Sequence, residues 1–94
     1  MATFADDIFL TVLQAKCTSG CWAKQLSDRE ANGDNIECDE KKFMLLIQWI
    51  SIMEEYYCQN YDANNSIIAE PDYPCLSADE ALALLAKIKV LIGI

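Results

Sequence analysis

The apolar positions in the middle of the chain recur at helical spacing over residues 43–57. They follow the i, i+3, i+4, i+7 repeat of a helix and form two neighbouring stripes. The pattern predicts a helix over about 40–58, capped by Asp39. The first stripe contains Phe43, Leu46, Ile47, Ile50, Met53 and Tyr57, and the second contains Leu45, Trp49, Ile52 and Tyr56.

A helix that is apolar on two faces needs protein around it. A chain of 94 residues offers about two further helices to cover those faces. In addition, 53% of the residues are hydrophobic, and a domain of this size has only a thin core. We therefore expect part of the apolar surface to meet another chain.

The first apolar repeat predicts a helix over about 4–16. Thr3 can cap it, with Asp6 as the reciprocal partner. The run 18–20 contains Thr, Ser and Gly, which weaken a helix interior. It favours a break followed by an extension over 20–31; the alternative is one continuous bent helix. The predicted buried face contains Phe4, Ile8, Val12 and Ala15, widened by Phe9 and Leu13.

The end of that helix and the start of the next are marked by turn formers. Asn32 and Gly33 both tolerate positive φ and end the first helix. The residues that follow, up to Cys38, form a loop. We expect this loop to lead directly into the central helix.

The last apolar repeat predicts a helix over about 77–92. Ser77 and Glu80 form a capping box. Gly93 ends the helix, because glycine readily adopts the left-handed conformation. The predicted buried stripe contains Ala81, Leu84, Leu85, Ile88, Leu91 and Ile92.

Residues 59–76 form a long connection that is rich in turn formers. A short strand over 66–69 is compatible with its composition. Together the patterns predict an all-α fold, a small bundle of three main helices in a single domain over 1–94.

The formal net charge is −8, which disfavours nucleic-acid and anionic-membrane partners. No Lys or Arg lies between Phe43 and Ala86. We expect an acidic surface there, which serves either solubility or the docking of a basic protein. The acidic residues are Glu54, Glu55, Asp62, Glu70, Asp72, Asp79 and Glu80.

The chain begins without the basic and apolar regions of a secretory signal, since Asp6 and Asp7 interrupt the first apolar run. No run of apolar residues is long enough for a membrane span. We therefore expect a location in the cytoplasm or, given the resemblance described below, in a virion.

The five cysteines give three readings. Cys17 and Cys21 lie at i, i+4 spacing, whereas Cys38, Cys58 and Cys75 are isolated. Structural metal sites use closely spaced pairs, usually two of them, and a disulfide set would leave one thiol over. The favoured interpretation is reduced cysteines that pack as small hydrophobes, with Cys21 and Trp22 buried against the 43–57 helix.

Catalysis is disfavoured by the composition. The chain contains no His and three Gly, so it lacks the commonest general base and any glycine-rich phosphate loop. The adjacent acidic pairs lie at predicted helix ends. We predict no catalytic, cofactor-binding or metal-ligating residue, no cofactor and no small-molecule substrate.

Three segments together resemble small all-helical structural proteins of tailed bacteriophages. They are GCWAKQL at 20–26, FMLLIQWISIMEEYY at 43–57 and CLSADEALALLAKIKVLI at 75–92. In the last segment, Ala78, Asp79 and Glu80 match the x-[DE]-E start of the final helix in that group. The resemblance implies a virion or assembly role near the head-to-tail connection and brings no catalytic residues.

The predicted function is that of a non-enzymatic structural or assembly protein that acts through helix-mediated contacts. Its partners would be other protein subunits, either copies of itself or a larger assembly. One alternative is a small acidic regulator that binds a basic host protein through residues 54–80. A second alternative is a thiolate metal-binding domain.

Overall fold

The computed structural model describes residues 3–61 and 76–94, which form three α-helices. These are α1 (Phe4–Ala31), α2 (Glu37–Asn60) and α3 (Ala78–Ile92). The predicted all-α bundle of three helices is confirmed. The predicted strand over 66–69 and most of the 59–76 connection lie outside the described residues, while residues 59 and 60 belong to α2.

The predicted break in the first helix is wrong, because α1 continues through residues 18–20 for a total of 28 residues. Ser19 is buried, and its Oγ donates a hydrogen bond of 2.9 Å to the carbonyl oxygen of Lys16. The hydroxyl is thus satisfied inside the helix. Gly20 costs the helix only about 1 kcal/mol relative to alanine, and the packing of Ala15 and Leu26 on either side offsets this cost.

The turn from α1 to α2 confirms one prediction and corrects another. Gly33 has φ +81° and ends α1 as expected. However, α2 begins at Glu37, so Asp39 lies inside the first turn and is not the cap. The Oδ1 of Asn35 accepts a hydrogen bond of 3.0 Å from the Glu37 backbone N–H instead. Asp39 is thereby left to pair with Arg29 of α1.

Both predicted capping boxes are present. At the start of α1, the Thr3 backbone N–H donates a hydrogen bond to the Asp6 carboxylate, and the Asp6 backbone N–H donates one to the Thr3 hydroxyl oxygen, both at 3.1 Å. Ser77 and Glu80 do the same at the start of α3. At the other end, Gly93 has φ +83° and ends α3. These local signals fix three of the six helix ends without help from tertiary packing.

The first two helices are antiparallel. Arg29 near the end of α1 pairs with Asp39 at the start of α2, and Lys16 pairs with Glu54 near the end of α2 at 3.0 Å. The last helix packs against both of them. Because α3 has 15 residues against 28 in α1, it covers only part of the α1–α2 pair.

A single apolar core joins the three helices. Burying one large aliphatic side chain contributes about 1.5–3 kcal/mol, so this cluster supplies most of the folding energy. Most of it comes from the predicted stripes of the three helices. The buried members are Ile8, Val12, Ala15, Leu46, Ile50, Met53, Tyr56, Ala81, Leu85 and Ile88.

Candidate interaction surfaces

Each of the three helices keeps large apolar side chains at its surface. Their exposure ranges from 38% to 80%. Three helices bury roughly one stripe each, and the remaining apolar residues stay in contact with solvent. The exposed set is Phe9, Leu10, Leu13, Met44, Leu45, Ile47, Leu82, Val90 and Ile94.

The burial of the side chains of α1 corrects part of the predicted buried face. Ile8, Val12 and Ala15 are buried as expected. Phe9 and Leu13, which were expected to widen that face, are about half exposed. They lie at the edge of α1 nearest to α2, where no third helix of the described residues covers them.

Phe9 and Leu13 line a shallow groove between α1 and α2, with a volume of about 180 Å³. Tyr57 and Cys58 form its other wall, and Lys16 and Glu54 also line it. Most of the surface of this α1/α2 groove is apolar.

Five aromatic rings form a continuous chain around the end of α2. It runs from Phe4 through Tyr56, Tyr61 and Tyr57 to Phe9, with neighbouring ring centroids 5.6–6.4 Å apart. Partial burial raises the pKa of Tyr61 above its ordinary value, and the neighbouring Tyr56 adds to this effect. The chain ties the end of α2 to the start of α1. Periodicity alone could not reveal it, since Tyr61 lies beyond the helical repeat.

The second apolar stripe of α2 is covered unevenly. Tyr56 is buried and Trp49 is half-buried, whereas Leu45 remains exposed. Trp49 lies beside Val90 of α3, which is 80% exposed. The expectation that two other helices cannot cover both stripes is therefore confirmed for this helix.

A third region is the outer face of α1, which is bordered by the α1/α2 groove on the side of Leu13 and by Leu82 of α3 on the side of Leu10. All of its residues are exposed except the half-buried Asp6. A Cβ added at Gly20 would meet nothing within 4 Å. We define the outer face of α1 as Asp6, Leu10, Leu13, Cys17, Gly20 and Lys24.

For the described residues, the prediction that the cysteines are buried as small hydrophobes is wrong, although their thiols are free as expected. Cys17, Cys21, Cys38 and Cys58 are all exposed free thiols, and Cys75 lies outside the described residues. A cysteine at the solvent face of a helix makes few packing contacts. Among residues 3–61 and 76–94, no group of three or more potential ligands is placed to hold a metal ion.

Trp22 follows the prediction in part. Its side chain is half-buried and packs against the core cluster. It reaches this position from an unbroken α1, without the helix break that was expected to turn it inward. Cys21, one residue earlier, faces solvent instead.

Ion pairs tie the helices together at the surface. Arg29 Nη1 donates a hydrogen bond of 2.6 Å to Asp39 Oδ2, which holds the pKa of Asp39 below its ordinary value. Lys16 pairs with Glu54, so one member of the predicted acidic surface has a basic neighbour. Asp62, Glu70 and Asp72 of that surface lie outside the described residues.

No protein-family model, no curated protein and no solved structure matches this chain. In the part of the chain that the structure describes, no helix combines the length and apolar character that crossing a membrane requires. Inference about function therefore depends on the exposed surfaces and their chemistry.

Proposed function

We propose that this protein is a non-enzymatic structural or assembly protein that acts through helix-mediated protein–protein contacts. The observation that carries the proposal is the set of large apolar side chains left exposed on all three helices. Soluble monomers expose single apolar residues routinely, but contiguous apolar faces are typical of interaction sites. Here neighbouring exposed residues share faces, as Phe9 and Leu13 do on α1.

The energies favour contacts that cover several of these residues together. Burial of apolar surface contributes about 25 cal/mol per Å², whereas association costs about 4–15 kcal/mol in lost freedom of motion. One exposed leucine cannot offset that cost. A whole helix face, packed against another helix, can do so.

Sedimentation velocity over a range of protein concentrations, at low and high salt, tests the proposal. We expect an association that persists at high salt, because apolar contacts are not screened. A dye that fluoresces on apolar surfaces should bind the free chain and be displaced on assembly. A monomer at every concentration that binds no dye contradicts the proposal.

The narrower proposal is that the assembly is a phage virion, at or near its head-to-tail connection. It is supported by the resemblance of residues 20–26, 43–57 and 75–92 to small structural proteins of tailed phages. Mass spectrometry of gradient-purified particles, from a phage that encodes this chain, is the direct test. Peptides at stoichiometric abundance support the narrower proposal, and their absence from intact particles contradicts it.

The second candidate is a small acidic regulator that docks on a basic host protein. It is favoured by the net charge of −8 and by the lack of basic residues between Phe43 and Ala86. Such a complex forms by charge attraction and weakens as salt rises. The salt dependence of binding thus separates the two candidates.

A further inference from the structure

The outer face of α1 has the spacing of a helix that packs lengthwise against another helix. Its six residues alternate four and three positions apart, which is the repeat of a coiled-coil seam. Leu10 and Leu13 are 59% and 50% exposed. Gly20 is open, with nothing within 4 Å of an added Cβ. The face combines projecting side chains with a position that another helix can approach closely.

This face is complementary to itself when two copies lie antiparallel around a two-fold axis near residue 15. Leu10 of one copy then lies over Gly20 of the second copy, and Leu13 lies beside Cys17 of the second copy. Both contacts occur twice, because a two-fold interface uses the same patch on both subunits. In each contact a large side chain meets a small one.

The charges agree with the same register. It places Asp6 opposite Lys24 of the second copy at both ends of the seam, which gives two opposite-charge pairs. At the flank, Phe9 faces the small residue Ala23. The Lys16 side chains of the two copies come near each other at the axis, but each already pairs with its own Glu54 at 3.0 Å.

Other registers lose the two Asp6–Lys24 pairs. Sliding one helix by seven residues places Leu13 opposite Lys24 in one direction. In the other direction it places Leu10 opposite Leu13 of the second copy but leaves Asp6 opposite Cys17. A parallel arrangement places Asp6 against Asp6 and Lys24 against Lys24, which are repulsive pairs. Binding of a helix from a different protein would not require Leu10 to match Gly20, or Asp6 to match Lys24, within this one face.

We infer that the outer face of α1 binds a second copy of this chain, with the two α1 helices antiparallel. The inference rests on the proposed function and deepens it by naming the partner. The overlap from residue 6 to residue 24 is about 27 Å long at 1.5 Å per residue. This contact is smaller than a standard protein interface. We expect a dimer that dissociates on dilution.

Sedimentation velocity of Gly20→Leu tests the inference. The added side chain meets no neighbour within its own subunit, and leucine raises helix propensity, so the monomer stays folded. In the dimer it collides with Leu10 of the second copy. The matched control is Ala83→Leu, which adds leucine at an exposed position of α3.

The expected result is a wild-type mass that rises to twice 10.6 kDa with concentration. Ala83→Leu should behave in the same way, whereas Gly20→Leu should need at least about tenfold higher concentration to dimerise. If the wild type is a monomer at every concentration, the inference is overturned. The proposed assembly with other proteins is tested separately. Dimerisation of Gly20→Leu at wild-type strength also overturns the inference, while still supporting helix-mediated assembly.

Disulfide trapping tests the register independently. Leu13→Cys places a new thiol beside Cys17 of the second copy, so mild oxidation should yield a covalent dimer linked between positions 13 and 17. Peptide mapping identifies the linked pair. A covalent dimer linked from position 13 to Cys38 in place of Cys17 contradicts the antiparallel contact, because Cys38 lies on α2.

Discussion

Lys89 and Asp7 lie 82 positions apart in the chain, yet the Lys89 Nζ is 2.8 Å from Asp7 Oδ2. The pair joins the last helix to the first turn of α1. Asp7 Oδ1 also accepts a hydrogen bond of 3.4 Å from the buried Thr11 hydroxyl. The Lys89–Asp7 pair is a contact between α3 and α1 that local sequence does not encode.

Lys89→Gln should lower the free energy of unfolding by up to about 1 kcal/mol, since partly exposed ion pairs contribute no more than that. Chemical denaturation of Lys89→Gln, Asp7→Asn and the double variant gives the coupling between the two side chains. Lys87→Gln is the matched control, because Lys87 is an exposed lysine one half-turn away. Equal losses in Lys87→Gln and Lys89→Gln, with no coupling, would show that the pair does not stabilise the fold.

The stability should depend on pH through Asp39. Its hydrogen bond from Arg29 holds the pKa of the folded state below the ordinary value of 3.8. The carboxylate therefore stabilises the folded state above pH 3.8, and this contribution is lost as the pH falls through the lowered pKa. Asp39→Asn should reduce the melting temperature at about pH 6, and this reduction should shrink as the pH falls below the ordinary pKa of the carboxyl.

Glu40→Gln is the control for that experiment, since it removes the same charge from the same helical turn. We expect Glu40→Gln to keep the wild-type dependence of the melting temperature on pH, because Asp39 is intact, whereas the melting temperature of Asp39→Asn should depend less on pH. A pH profile for Asp39→Asn that parallels the wild type down to the acid limit argues against the Arg29–Asp39 contribution. Thermal unfolding followed by circular dichroism is sufficient.

Ile88 and Val90 give a contrast between buried and exposed positions of one helix. Ile88 is fully buried in the core, whereas Val90 is 80% exposed. Ile88→Ala should lower the free energy of unfolding by about 2–5 kcal/mol, as cavity-forming substitutions do. Val90→Ala should change it by less than about 0.5 kcal/mol. Similar losses at both positions would contradict the placement of α3.

Thiol labelling of the native protein tests the exposure of the described cysteines. We expect Cys17, Cys21, Cys38 and Cys58 to react without denaturant, as located by peptide mass spectrometry. If α1 forms the proposed dimer, labelling of Cys17 should slow as the protein concentration rises, while labelling of Cys38 should not. A requirement for denaturant at any of the four thiols in dilute protein contradicts the structure.

The sequence by itself determined the elements and several of their ends. The helical repeat places Leu46, Ile50 and Met53 on one face, and that spacing leaves only one way to bury them together. The capping pair Ser77 and Glu80 acts through hydrogen bonds within four residues. Such signals are local and need no knowledge of the other helices. The expectation of surplus apolar surface also needed no tertiary structure, since it follows from composition and length.

Only the tertiary structure decided which apolar residues are covered. Phe9 and Leu13 belong to the apolar part of α1, but they stay exposed because α2 and α3 pack on the neighbouring stripe. Ser19 was expected to help break the helix; it is instead buried, with its hydroxyl bonded to the Lys16 carbonyl oxygen. Helix propensities at such positions differ by about 1 kcal/mol or less, so packing between helices determines the outcome.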